Sequence, residues 1–148
     1  MTLLSEGETV EKVNMVNKMP HLIIDYSANL EARVDIPGLC DLLRRKAGRL
    51  EIFPAAGVRV RAIPAPHWSI ADGDPEHGYI DVSVRLRAGR PQVAKEAATA
   101  ELFEAAKDYL SAALAEGSLA LSFEMRDIDA ALSPKISSTR EHLPEEFT

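Results

Sequence analysis

Two stretches of strict alternation limit what this chain can fold into. In "YIDVSVRLR", residues 79–87, Ile80, Val82, Val84 and Leu86 share one side, and Asp81, Ser83, Arg85 and Arg87 share the other. "VRVRAI", residues 58–63, has the same period. A period of two marks a strand with one buried face. Residues 20–27, "PHLIIDYS", and 118–126, "SLALSFEMR", repeat the pattern and supply a first and a last strand. Between members of each pair the apolar period lengthens toward that of a helix. Ile36, Leu39, Cys40, Leu43, Ala47 and Leu50 fall on one helical face, with Asp35 placed as a cap and Pro37 in the first turn. Residues 91–114 read as a second, alanine-rich helix that starts at Pro91 and is stopped by Gly117. Its expected buried face is Val93, Ala97, Ala100, Phe103, Ala106 or the stem of Lys107, Leu110 and Leu114.

The order is therefore β-α-β, a Pro/Gly/Asp-rich loop ("PAPHWSIADGDPEHG"), and β-α-β again. The halves read as an architectural repeat of about sixty residues. A strand, a crossover helix and a strand make a parallel pair with a right-handed crossover. The expected fold is α/β (α+β): a four-stranded sheet with two helices on one face. If the halves meet about a pseudo-twofold axis, strands one and three run antiparallel. The other face collects Arg59, Arg61, Asp81, Ser83, Arg85, Arg87, Ser122, Glu124 and Arg126. Such a face is either solvated or covered by other subunits with opposite charges paired across strands. The covered version is expected, with Arg61 paired to Glu124 or Asp81.

Composition narrows the class. With 148 residues, 46% hydrophobic and 27% charged, the chain can build one globular core. Its net charge of −6 argues against non-specific nucleic-acid binding and against an anionic membrane surface. A single cysteine, Cys40, and the lack of a secretory h-region point to a reducing, cytoplasmic setting. Cys40 itself reads as a small core residue. Residues 1–19 are read as an N-terminal extension, disordered or a mis-assigned start, residues 20–132 as the domain, and residues 133–148 as an irregular tail.

Several ordered segments carry a resemblance. "MPHLIIDYSANL" is similar to a start of Met-Pro-His, a strand and S-x-N. "FPAAGVRVRA" is similar to FP-x-x-G-[IV]-R-x-R. "ADGDPEHGYIDVSVRLRAGR" and "LALSFEMRDID" follow at matching spacing. Together, from Met19 to about Leu132, they resemble the tautomerase superfamily and within it the 5-carboxymethyl-2-hydroxymuconate Δ-isomerase family. Residues ahead of Met19 depart from that pattern, because family members begin at the proline. The resemblance implies a double β-α-β fold, a homotrimer and a cofactor-free proton shift in an unsaturated keto acid. It makes Pro20, as a free amine, the general base, and Arg59 and Arg90 the carboxylate binders. The related substrate has three carboxylates and belongs to a catabolic route for hydroxylated phenylacetates. Another tautomerase-superfamily activity, or a non-catalytic trimeric module if the extension blocks Pro20, are the rival readings.

The chemistry is coherent from the residues themselves. An α-amino group titrates near ~8, and desolvation and nearby cations lower it toward neutrality. Ile23, Phe53 and Trp68 are candidate apolar walls; Arg59 and Arg90 are candidate cations. Fixed guanidinium groups also stabilise a dienolate and grip carboxylates in a fork. His21 has two readings, a pocket residue or an ordinary member of the polar face. His67, Asp72, Asp74 and His77 fit no familiar metal-ligand spacing. Ser27 and Ser122 have no recognisable base partner for a hydrolase triad; the partners that the resemblance implies are small polycarboxylates.

Overall fold

The computed structural model describes residues 20–147; the expectations placed on residues 1–19 lie outside them. Four strands form one mixed sheet in the order β2-β1-β3-β4. β1 is His21–Ser27, β2 Arg59–Ala65, β3 Gly78–Arg87 and β4 Leu119–Ile128. β1 and β2 are parallel, β3 and β4 are parallel, and β1 runs antiparallel to β3. The two β-α-β halves thus meet at β1 and β3, as the pseudo-twofold reading requires. β2 continues two residues beyond the expected strand, through Pro64. A proline is tolerated there because β2 is an edge strand with a neighbour on one side only.

Helix α1, Ile36–Gly48, starts where expected: the Asp35 carboxylate accepts from the Gly38 N–H at 3.1 Å. Its Ile36, Leu39, Leu43 and Ala47 are buried, while Cys40 is half-buried against the core. The second helical region differs from expectation in two ways. It divides at Leu110 into α2, Gln92–Tyr109, and α3, Ser111–Glu116. At the break Leu110 is buried in the core, and the neighbouring Tyr109 hydroxyl donates to the Asp35 carbonyl at 2.8 Å. The buried stripe is Ala98, Leu102, Ala106, Leu110 and Ala113, whereas Val93 is 73% exposed and Ala97 and Ala100 are also exposed. Alanines on every side of this helix leave its hydrophobic period without a preferred face, so spacing alone selected a stripe rotated from the true one.

Both helical layers cover one side of the sheet, where Leu22, Ile24, Ile80, Val82, Val84 and Leu86 are fully buried. Two motif residues of β1's far end are staples. The buried Ser27 hydroxyl accepts from the Tyr79 N–H at 3.0 Å, and the Asn29 amide donates to the His77 carbonyl at 2.9 Å. They tie the end of β1 to the start of β3. Among the described residues no helix is long and apolar enough to cross a membrane.

Candidate active site

The register decides which side chains gather around the start of β1. His21 pairs with Arg59 on β2 and with Arg85 on β3. Pro20 directly precedes this triplet, is buried, and its carbonyl accepts from the Arg59 N–H at 3.2 Å. By alternation Pro20 lies on the core side with Leu22. Arg59, His21 and Arg85 lie on the opposite, polar face.

One Nη of Arg59 is 2.9 Å from His21 Nε2. Burial, then the charges of Arg59, Lys135, Arg85 and Arg61, push the His21 imidazole down to about 4. His21 is therefore neutral at pH 7 and accepts the Arg59 hydrogen bond at Nε2. That leaves the proton on Nδ1, which is buried without a hydrogen-bond partner among the described residues. His21 thus lies on the polar face, as one of its two readings has it, within hydrogen-bond reach of Arg59.

Arg90 enters from the other side of the sheet's end. Gly89, with φ of +122°, takes the left-handed backbone that turns the chain toward it. Its Nε donates to the Ile52 carbonyl at 3.1 Å and its Nη1 to the Arg87 carbonyl at 3.0 Å. Arg90 is thus half-buried and holds the segment after α1 against the end of β3. Arg87 points both Nη groups at the C-terminal tail, to the Ser133 and Ala130 carbonyls, each at 2.8 Å.

The polar face is graded in charge. At the Pro20 end Arg59, Arg61, Arg85 and Lys135 cluster, and none has an ion-pair partner among the described residues. At the far end sit Asp25, which accepts from the Tyr79 hydroxyl, and Asp81, which accepts from Ser122. Arg61 was expected to pair with Glu124 or Asp81, but it lies on β2 with β1 between it and either acid. Glu124 pairs with Arg126 on its own strand instead.

Other expectations divide. Ile23 is half-buried on the polar face, two residues from His21 on the same strand. Phe53 is 2% exposed and belongs to the main core. Trp68 follows β2, whose last residue pairs with Ser27, so it lies at the end of the sheet away from Pro20. His77 bridges Asp72 and Ser118, at 2.7 and 2.6 Å, as a loop clasp. No group of three His, Cys, Asp or Glu side chains is placed to hold a metal among the described residues. The sequence reading missed Arg85 and Lys135. Arg85 was visible as one of many polar-face residues, and only the pairing with β1 singles it out. Lys135 sits in a segment with no period, so nothing in the sequence marked it.

Comparisons with known proteins converge. Residues 20–143 match the family described as 5-carboxymethyl-2-hydroxymuconate isomerase. The chain is 32% identical over 117 residues to the 5-carboxymethyl-2-hydroxymuconate Delta-isomerase of Escherichia coli, covering 79% of this chain and 93% of that one. A crystal structure of a 5-carboxymethyl-2-hydroxymuconate delta-isomerase superposes with a TM-score of 0.79 at 27% identity, covering 86% of this chain and 94% of that one. A 5-carboxymethyl-2-hydroxymuconate isomerase from Deinococcus radiodurans R1 gives a TM-score of 0.79 at 28% identity, with 86% and 96% covered.

Proposed function

Since the chain belongs to the 5-carboxymethyl-2-hydroxymuconate isomerase family, we propose that it shifts a proton within an unsaturated hydroxy- or keto-polycarboxylate such as 5-carboxymethyl-2-hydroxymuconate. The observation that carries this reading is a buried proline at a strand start, followed directly by His21 and a cluster of cations that have no ion-pair partner among the described residues. In this reading Pro20 is the N-terminal residue and its secondary amine is the general base. It takes the proton from the substrate's enol, electron density spreads over the dienolate, and the same nitrogen returns the proton to carbon. The enol O–H becomes a C–H, the two conjugated C=C bonds become one C=O and one relocated C=C, and no atom is gained or lost, so no cofactor is needed.

Arg59 holds a substrate carboxylate and stabilises the dienolate oxygen. Arg90 is assigned a second carboxylate. Two of its nitrogens already hold backbone carbonyls, so it acts through its remaining Nη2. The cations around Pro20 also lower the amine's pKa toward the operating pH, where a base works best. The substrate's place is a catabolic route for hydroxylated aromatic acids in the cytoplasm. The proposed assembly is a homotrimer, which the two open sheet edges, β2 and β4, support: unpaired edges call for a cover.

The mechanism requires that Pro20 carry a free amine, since an imide nitrogen has no basic lone pair. Intact-mass measurement of protein made from its native gene, paired with a ketonisation assay on 5-carboxymethyl-2-hydroxymuconate, tests it. A mass beginning at Pro20 with turnover is expected. Turnover by protein still carrying Met1 overturns the proline mechanism, and no turnover from a Pro20 start overturns the activity.

A further inference from the structure

The C-terminal tail crosses the site. It leaves β4 at Ile128, whose carbonyl accepts from the Ala88 N–H at 3.1 Å. Arg87, the last residue of β3, then holds it through the Ala130 and Ser133 carbonyls. Further on, Thr139–His142 forms a 3-10 turn packed against the Ala55–Gly57 turn just ahead of β2. One anchor is therefore at the end of β3 and the other at the entrance to β2. The sheet order places the start of β1 between them, and the charge of Lys135 acts on His21 there, so residues 134–138 pass the polar-face side of the start of β1.

Lys135 is the residue this path delivers. It is half-buried, whereas its neighbours Pro134 and Ile136 are exposed, Ile136 at 97%. Its ammonium lies within the field of Arg59, Arg87 and Arg85, and burial with these charges pushes it down to about 8. Arg87 is turned to the tail's carbonyls, which leaves Arg59, Arg61, Arg85 and Lys135 as the cations around His21, none with an ion-pair partner among the described residues. Like charges brought together without counter-charge repel one another unless an anion occupies the space between them.

We propose that Lys135 is a carboxylate-binding residue of the active site, carried in by the tail, which with Arg85 holds a third carboxylate beside the two assigned to Arg59 and Arg90 and so fits the site to a tricarboxylate. This rests on the proposed function for the identity of the substrate, but its test reads binding alone. Calorimetric titration of the whole protein uses propane-1,2,3-tricarboxylate as the probe, with glutarate as the two-carboxylate control, at low salt. Lys135→Met keeps the stem and removes the charge; Lys135→Arg keeps the charge. The Met variant is expected to bind the tricarboxylate ~10-fold or more weakly, the size of one charge-assisted hydrogen bond. It should lose clearly less on glutarate, and the Arg variant should stay close to the parent protein. Unchanged tricarboxylate affinity in the Met variant overturns the proposal. Equal losses on both probes overturn the match to a third carboxylate, and equal losses in the Met and Arg variants reduce Lys135 to tail packing. If no variant turns over 5-carboxymethyl-2-hydroxymuconate while the binding differences persist, the activity fails and the cation site stands.

Discussion

His21 and Arg59, paired across β1 and β2, share a hydrogen bond of 2.9 Å in which the arginine donates and a neutral imidazole accepts. The histidine is kept neutral by burial and by positive charge from every side: Arg59 and Arg61 on β2, Arg85 on β3 and Lys135 on the tail. A protonated His21 would lose its acceptor nitrogen and add one more cation.

The pair makes the fold sensitive to acid. His21 titrates at about 4 in the folded protein and near 6.5 when unfolded. Between those values the unfolded chain binds more protons, so stability rises with pH across this window. The contribution is whole above pH 6.5 and is lost as pH falls through about 4. His21→Gln, which retains an acceptor without a titrating ring, should flatten this part of the profile. Urea midpoints at pH 7 and pH 4.5 measure it. A variant whose midpoint falls as steeply as the parent's shows that other groups carry the acid response.

Arg59 should report through its partner as well as through the substrate. Arg59→Ala removes a charge that depresses His21, so the His21 pKa should rise toward 6.5 when followed by NMR. In the same variant KM for the polycarboxylate should increase by ~10-fold or more, the loss of a charge-assisted bond. Arg59→Lys keeps the charge but not the fork, and should fall between the two. A shifted histidine with unchanged KM would confine Arg59 to holding His21.

How much of this was legible in the sequence depends on the kind of pattern involved. The strands were, because period-two alternation in segments such as 79–87 has one solution once one face is buried. The antiparallel meeting of β1 and β3 followed from treating the halves as a repeat. The face of α2 was not legible, because Ala94, Ala97, Ala98, Ala100, Ala105 and Ala106 leave small apolar groups nearly all round. Trp68 was misplaced because aromatic character says nothing about which end of the sheet a loop occupies. Arg85 becomes distinctive only through its pairing with His21, and Lys135 only through two tertiary anchors more than a hundred residues along the chain from Pro20.

Arg90 is expected to show two separable effects. Its guanidinium ties the Ile52 and Arg87 carbonyls together. Arg90→Ala leaves both carbonyls without this donor and should cost about 2–3 kcal/mol in denaturant unfolding. For a chain of this size that is roughly 4–12 °C in Tm. Lysine, with a point charge in place of a fork, should recover little of it. If the group also binds substrate, KM rises under conditions where the variant is fully folded. Lower stability with unchanged KM would assign it to the framework alone.

Ser27 offers the opposite case, a family-motif residue whose role is in the framework. Its hydroxyl is fully buried and accepts the Tyr79 N–H. Ser27→Ala strands that buried donor, at a cost of about 1–3 kcal/mol. The site lies at the other end of β1, so kcat and KM should stay close to the parent values. A fall in kcat in folded protein would mean that the far end of β1 communicates with the proline.

The sharpest prediction concerns Pro20 in protein that begins at Met19 and loses that methionine. A positioned general base contributes roughly 10²–10⁴-fold to rate. Pro20→Ala does not remove an amine; it replaces a ring-held secondary amine with a primary one that rotates freely and is intrinsically less basic. The expected result is therefore a partial loss, about 10- to 100-fold in kcat with little change in KM, because the carboxylates are held by other groups. The pH–rate profile should move as well, since the limb set by the base follows the amine's pKa while the limb set by the cations does not. Keeping the preceding methionine in place should remove activity outright, because the nitrogen of Pro20 then has no lone pair to offer. Full kcat in the alanine variant, with an unmoved pH profile, would exclude the proline nitrogen as the base and turn attention to the polar face, where His21 holds the nearest titrating nitrogen.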